Sequence, residues 1–296
     1  MDQRLTYRPH IRRTAARAKA QLDSLNRIGQ STWGLTLRQA RLIYTAVVRP
    51  VITYGATIWA NPDTQGRPRQ AQIKPIQQVQ WEAIRRAAGA YRATPTPVLE
   101  KEVSIAPLDL YLQELRLRHR ARIDKNIPLR AFLAKCRREA SGAHSTPPDD
   151  KRHTDGAILR RMGLSWTEEG WSPPGEKATN TVIREWITSK WEESWNTYRD
   201  GRITRSGVTN PVAPPTLLNG LFEAPGSACP LLYQKLTRAQ ASLLIQLRSE
   251  KVGFNNFLAL RQVPDKLPQC ECGWHSQTPR HIVISCPLLE IGRAHV

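Results

Sequence analysis

Three cysteines and a histidine crowd the C-terminal end of this chain: Cys270-Glu271-Cys272-Gly273, then Thr278-Pro279-Arg280-His281, then Cys286-Pro287. The pattern reads C-x-C-G-x(7)-H-x(4)-C, in a segment too short to bury a hydrophobic core of its own. Such a segment needs another source of folding free energy, and four Cys/His ligands around a tetrahedral zinc ion supply one. The spacing therefore points to a structural zinc knuckle with Cys270, Cys272, His281 and Cys286 as ligands. Gly273 suits a tight turn that lets backbone N–H groups approach the sulfurs, and Thr278 suits the cap of a short helix leading to His281 and Cys286. Two alternatives stay open at this level: His275 in place of one ligand, or an incidental group of thiols beside a surface histidine.

With 296 residues, 40% of them hydrophobic, the chain can build more than one helical layer, and two or three substructures are expected. No apolar run approaches the length of a membrane span, and the N-terminal stretch carries Arg4, Arg8, Arg12 and Arg13 instead of a signal-peptide core. The expectation is a soluble intracellular protein of the nucleus or cytoplasm. Only Cys136 and Cys229 lie outside the cluster, which argues for a reducing compartment and against a disulfide framework. The 44 Lys+Arg outweigh 25 Asp+Glu, a net charge of +19. That excess points to a polyanionic partner, because each neutralised phosphate releases counterions. A basic solvated surface with no dedicated ligand is the competing explanation.

Periodicity makes the fold mainly α. A basic helix is expected over about His10–Ile28, ended by Gly29. From Leu37 to Trp59, Ala40, Tyr44, Val47, Val51, Tyr54 and Ile58 recur at steps of three and four, which places them on one face of an ideal helix. Thr36 is its expected N-cap, and Pro50 predicts a kink or break. A third helix is expected over about Ala71–Tyr91, with Ile73, Ile76, Val79, Ile84 and Ala87 inward. Pro107 opens a further helix with Leu108, Leu112 and Leu115 inward and Arg116, Arg118, Arg120 and Arg122 on the far side. An amphipathic helix is expected at about 176–198, with Ile183, Ile187, Trp191, Trp195 and Tyr198 near one face. Helical tryptophans are core anchors first; a stacking platform for bases requires exposed rings beside cations.

Thr32-Trp33-Gly34, Arg41 to Pro50 and Tyr54-Gly55-Ala56-Thr57-Ile58-Trp59 together resemble the region following the palm in LINE-type (non-LTR) retrotransposon reverse transcriptases, most of all the branch of filamentous fungi. Ile76 to Gln80, Gly89 to Thr96, Pro107-Leu108 and Lys235 to Leu260 are similar to that family's continuation. The resemblance covers roughly 1–137 and 230–289, and in that family a Cys/His knuckle closes the polyprotein. It implies a thumb-like helical region over 1–137, a linker over 138–215 containing the amphipathic helix, and a helical module over 216–289 ending in the knuckle. It also implies RNA or DNA as partner, with Arg38, Arg41, Arg116, Arg118, Arg120 and Arg122 as phosphate contacts and Trp274 as a base stacker.

The resemblance also implies what is missing. A polymerase holds two divalent metals on paired carboxylates of a strand turn, and no such turn occurs here, so Mg2+ is expected only in the intact parent enzyme. Asp149-Asp150 follows Pro147-Pro148 with no flanking apolar strand and reads as loop. Thr154-Asp155-Gly156 resembles an RNase H turn, but Lys151-Arg152-His153 precede it and no further carboxylates have the required context. Phosphate-loop and nucleophile-elbow motifs are absent, and Cys136 before Arg137-Arg138 reads as an incidental thiol. The expectation is a non-catalytic nucleic-acid-binding fragment without a small-molecule substrate. The alternatives are a decayed retroelement product, or a piece active only when joined to upstream domains. The terminal Glu290 to Val296 matches the translation of a common sequencing adapter, so this tail is expected to carry no structural meaning.

Overall fold

The computed structural model describes residues 6–25, 33–60, 68–129, 155–167, 170–173, 178–205, 223–226 and 229–289, with positions 27, 131–132 and 135–136. Asp149-Asp150, Gly29, most of the 138–215 linker outside its helix, and the 290–296 tail lie outside these residues. The fold is mainly helical. In order come α1 (Arg8–Leu25), α2 (Leu37–Ile43), a π-helical segment (Tyr44–Val48), α3 (Arg49–Ile52), α4 (Ala56–Trp59), α5 (Gln70–Ala88), α6 (Thr96–Val103) and α7 (Leu108–Lys125). Then follow α8 (Asp155–Arg161), β1 (Ser165–Thr167), β2 (Gly170–Ser172), α9 (Thr179–Arg205), α10 (Cys229–Leu232), α11 (Arg238–Arg248), α12 (Asn255–Leu260) and a π-helical turn (His281–Ser285). No helix among the described residues is long and apolar enough to cross a membrane.

The chain forms two compact units: Met1–Gln21, Thr45–Gln80 and Ala106–Ser194 make the first, and Leu22–Tyr44, Trp81–Ile105 and Trp195–Val296 the second. They are assembled from alternating stretches of the chain. In the first unit, Leu110 and Leu117 of α7, Ile158 and Leu159 of α8, and Val182, Ile183, Ile187 and Trp191 of α9 share one buried cluster. The β1–β2 hairpin, in register Trp166↔Trp171, contributes Trp171, whose indole N–H donates to Asp124 Oδ2 at 2.8 Å. Trp191 and Trp195 are buried, so these rings serve as core anchors.

The α5 positions chosen by periodicity, Ile73, Ile76, Val79, Ile84 and Ala87, are all buried. Thr36 caps α2 in a reciprocal box with Gln39. The face expected over 37–59 holds as far as Tyr44 and then shifts by one residue. Val48, Ile52, Ala56 and Trp59 are buried, whereas Val47, Tyr54 and Ile58 are exposed. The cause is the π-helical segment before Pro50, which inserts one residue and turns the face by about 100°. Pro50 cannot donate to the carbonyl one turn back, so a widened turn ahead of it is the local accommodation. A full break follows at Gly55, whose φ of 67° is left-handed.

A second correction concerns α7. Helix is right, but Arg116 is buried instead of facing away, and it pairs with Asp155, the first residue of α8. Leu117 takes the core position expected of Leu115. Asp155, read as a possible remnant of an RNase H turn, thus sits on a helix and neutralises a buried cation.

The π-turn makes a direct prediction for thermal or denaturant unfolding. Val48→Ala should lower stability by about 2 kcal/mol, and Val47→Ala should change it by less than about 0.5 kcal/mol. The reverse order would indicate an uninterrupted α-helix.

Candidate metal centre and basic surface

The knuckle belongs to the second unit and is built by a turn, an extended return and a short helix. Gly273 adopts φ 86° and its N–H donates to the Cys270 carbonyl at 3.0 Å. A Cβ there would meet nothing within 4 Å, so conformation and not space selects glycine. The Cys270 N–H returns to the Trp274 carbonyl at 2.9 Å. Thr278 Oγ1 accepts from His281 N at 3.2 Å, starting the helical turn, and Cys286 N closes it on the His281 carbonyl at 2.7 Å.

These turns gather Cys270 Sγ, Cys272 Sγ, the His281 ring and Cys286 Sγ so that the four ligand atoms lie within 4.8 Å of one another. The Cys270 and Cys286 sulfurs are 3.9 Å apart, far beyond a disulfide bond of about 2.0 Å and close to the edge of about 3.8 Å that tetrahedral Zn–S bonds of about 2.3 Å produce. Cys272 Sγ lies 3.1 Å from His281 Nε2. The donor set, three sulfurs and one imidazole, fits a structural zinc ion. His275 is exposed and is not a member of this group.

Backbone amides prepare the sulfurs for metal. The Cys272 amide donates to Cys270, and with help from Cys272, His281 and Cys286 it brings the Cys270 thiol down to about 6 against the desolvation of the site. Desolvation instead raises Cys272, opposed by the Trp274 amide. Gln277 adds an outer layer that sequence reasoning missed. Its Nε2 donates to Cys270 Sγ at 3.8 Å, and its Oε1 accepts from Asn255 N, the first residue of α12, at 2.8 Å. Phe254 packs on the Cys270, Ile282 and Cys286 cluster. Trp274 is 53% exposed and stacks on His281 with centroids 5.7 Å apart and planes 6° apart.

The arginines assigned to phosphate divide sharply. Arg38 and Arg122 are exposed, and no carboxylate meets either among the described residues; Arg122 only approaches His119 Nδ1 at 3.3 Å. Desolvation, then the Arg122 charge, lowers the His119 pKa, favouring the neutral ring beside it. Arg118 and Arg120 are part-exposed and pair with Glu114 and Asp124 one turn away. Arg41 is half-buried and donates from Nε and Nη2 to the Ser104 carbonyl at 3.2 and 3.0 Å. Arg116 is buried against Asp155.

A second buried group in the second unit has no counterpart in the sequence reading. Lys101 Nζ meets Glu102 at 3.0 Å and Glu223 at 3.2 Å, and Arg248 Nε meets Glu102 at 3.0 Å. Arg248 also pairs with Glu223, and the Tyr233 hydroxyl donates to Glu102. Desolvation works to raise the Glu223 carboxyl, but Arg248 and Lys101 hold it below the usual range. The one available signal was the charged run Glu100-Lys101-Glu102 between Leu99 and Val103 in the Thr96–Val103 helix.

No family model matches the chain, and neither a curated protein nor a solved structure matches it.

For the ligand set, we expect one zinc ion per reduced chain after dialysis. Cobalt in its place should show the absorption of a tetrahedral site with three thiolates and one imidazole, abolished in His281→Ala and unchanged in His275→Ala. The opposite pattern would make His275 the ligand.

Proposed function

We propose that this chain is a non-catalytic, nucleic-acid-binding piece of a LINE-type retrotransposon reverse transcriptase, whose basic helices hold RNA or DNA backbone and whose knuckle is organised by zinc. The observation that carries the reading is the Cys270, Cys272, His281 and Cys286 group with Trp274 exposed on its imidazole face. An exposed indole fixed on a metal ligand can stack on an unpaired base without first being ordered. The net charge of +19 and the uncompensated Arg38 and Arg122 supply the attraction to phosphate. Arg118 and Arg120 are secondary contacts in this reading, Arg41 acts by supporting the backbone at Ser104, and Arg116 serves the core. Asp155 is engaged by Arg116, which supports a structural role for it in this reading.

Gel-shift titrations at low salt should show binding to RNA and DNA of unrelated sequence, weakened several-fold in Arg38→Ala plus Arg122→Ala. A primer–template with Mg2+ and nucleotides should be bound but not extended or cut. Primer extension by the purified chain, or the absence of any shifted complex, would overturn the proposal.

A further inference from the structure

A groove of about 710 Å³ runs in the first unit between α1 and the α3 end of the interrupted helix. One wall carries His10, Arg13, Thr14, Arg17 and Gln21, and the other Val51 and Tyr54. Arg13 and Arg17 are one helical turn apart and exposed, with no ion-pair partner among the described residues, and no carboxylate lines the groove. Gln21 Oε1, on the same wall, is a buried acceptor with no hydrogen-bond donor. Tyr54 is 75% exposed, yet its backbone is fixed: its carbonyl accepts from Trp59 Nε1 at 2.8 Å and faces His10 Nε2 at 3.4 Å. The left-handed Gly55 completes the turn that holds the ring out. The arrangement thus offers an exposed aromatic face on a fixed backbone and two free guanidinium groups across the groove from it.

We infer that this groove is a binding site for single-stranded nucleic acid, with a base stacked on Tyr54 and consecutive phosphates on Arg13 and Arg17. It rests on the nucleic-acid reading above but uses none of the residues named there. Charge decides the occupant. Two unpaired arginines with no opposing acid select a polyanion, and an exposed ring on the facing wall selects one whose units carry flat faces. Duplex DNA buries those faces in its own stack, which favours the unpaired strand.

The test is fluorescence anisotropy of the full chain with a labelled twelve-nucleotide single strand, its duplex, and polyglutamate as competitor, across a salt series. Arg13→Ala plus Arg17→Ala should weaken single-strand binding about tenfold and reduce the salt slope by about 1.4, from about 0.7 per phosphate. Tyr54→Ala should weaken it about tenfold while Tyr54→Phe binds as the parent does. The Tyr54 ring bears no part of the backbone bonds at its carbonyl, and circular dichroism of each variant should match the parent. If the arginine pair is silent while Arg38→Ala plus Arg122→Ala weakens binding, the groove inference falls and the general reading stands. If the parent chain binds no oligonucleotide in a salt-sensitive way, both fall. Duplex bound as tightly as the single strand with Tyr54→Ala silent, or polyglutamate competing as well as the oligonucleotide, overturns the groove as a single-strand site.

Discussion

Scarcity of carboxylate governs this protein. With 25 acidic residues against 44 basic ones, each buried ion pair takes an acid out of a small supply. An unpaired charge in the interior costs several kcal/mol, roughly 3–5 when a partner is removed, so the interior is served first. Asp155 goes to Arg116, while Glu102 and Glu223 go to Lys101 and Arg248. Main-chain carbonyls also receive buried or half-buried cations. Arg238 donates to the carbonyls of Ala87 and Arg86 at the end of α5, and Arg41 to that of Ser104. Burial lowers the Arg238 pKa. Arg13, Arg17, Arg38 and Arg122, on the surface, meet no acid among the described residues, and so remain attractive to phosphate.

The second constraint is size. The C-terminal segment buries Cys270, Ile282 and Cys286 with only Phe254 and Cys272 against them. A cluster that small does not hold a fold by apolar burial, and a metal ion on the four converging ligand atoms would supply what packing cannot. Gln277 joins Cys270 to the start of α12 through one amide side chain. Trp274 inherits its rigidity from the same source, since it rests on a ligand ring.

Much of this was legible in the chain. The ligand quartet was readable because metal chemistry demands particular residue types at short range, and the Gly273 and Thr278 turns because local backbone conformation is set locally. The burial of α5 and of Ile183, Ile187, Trp191 and Trp195 followed from a period that no insertion disturbed. The face after Tyr44 did not, because a π-helical turn leaves no mark in a hydrophobic pattern except the proline that follows it. Arginine roles were the least readable. Arg116, Arg118, Arg120 and Arg122 share a helix and a residue type, but their fates depend on Asp155 and Asp124, and for Arg116 the partner lies far along the chain. The same insertion that misplaced the core face pushed Tyr54 outward, making it a surface ring.

Photocrosslinking offers the most direct test of nucleic-acid capture by this chain. A single-stranded oligonucleotide carrying 4-thiouridine, irradiated with the zinc-loaded chain and mapped by peptide mass spectrometry, should attach to the exposed rings. Adducts are expected on the peptides containing Tyr54 and Trp274, diminished as salt rises. Adducts confined to peptides away from both rings, or none at low salt, would contradict it.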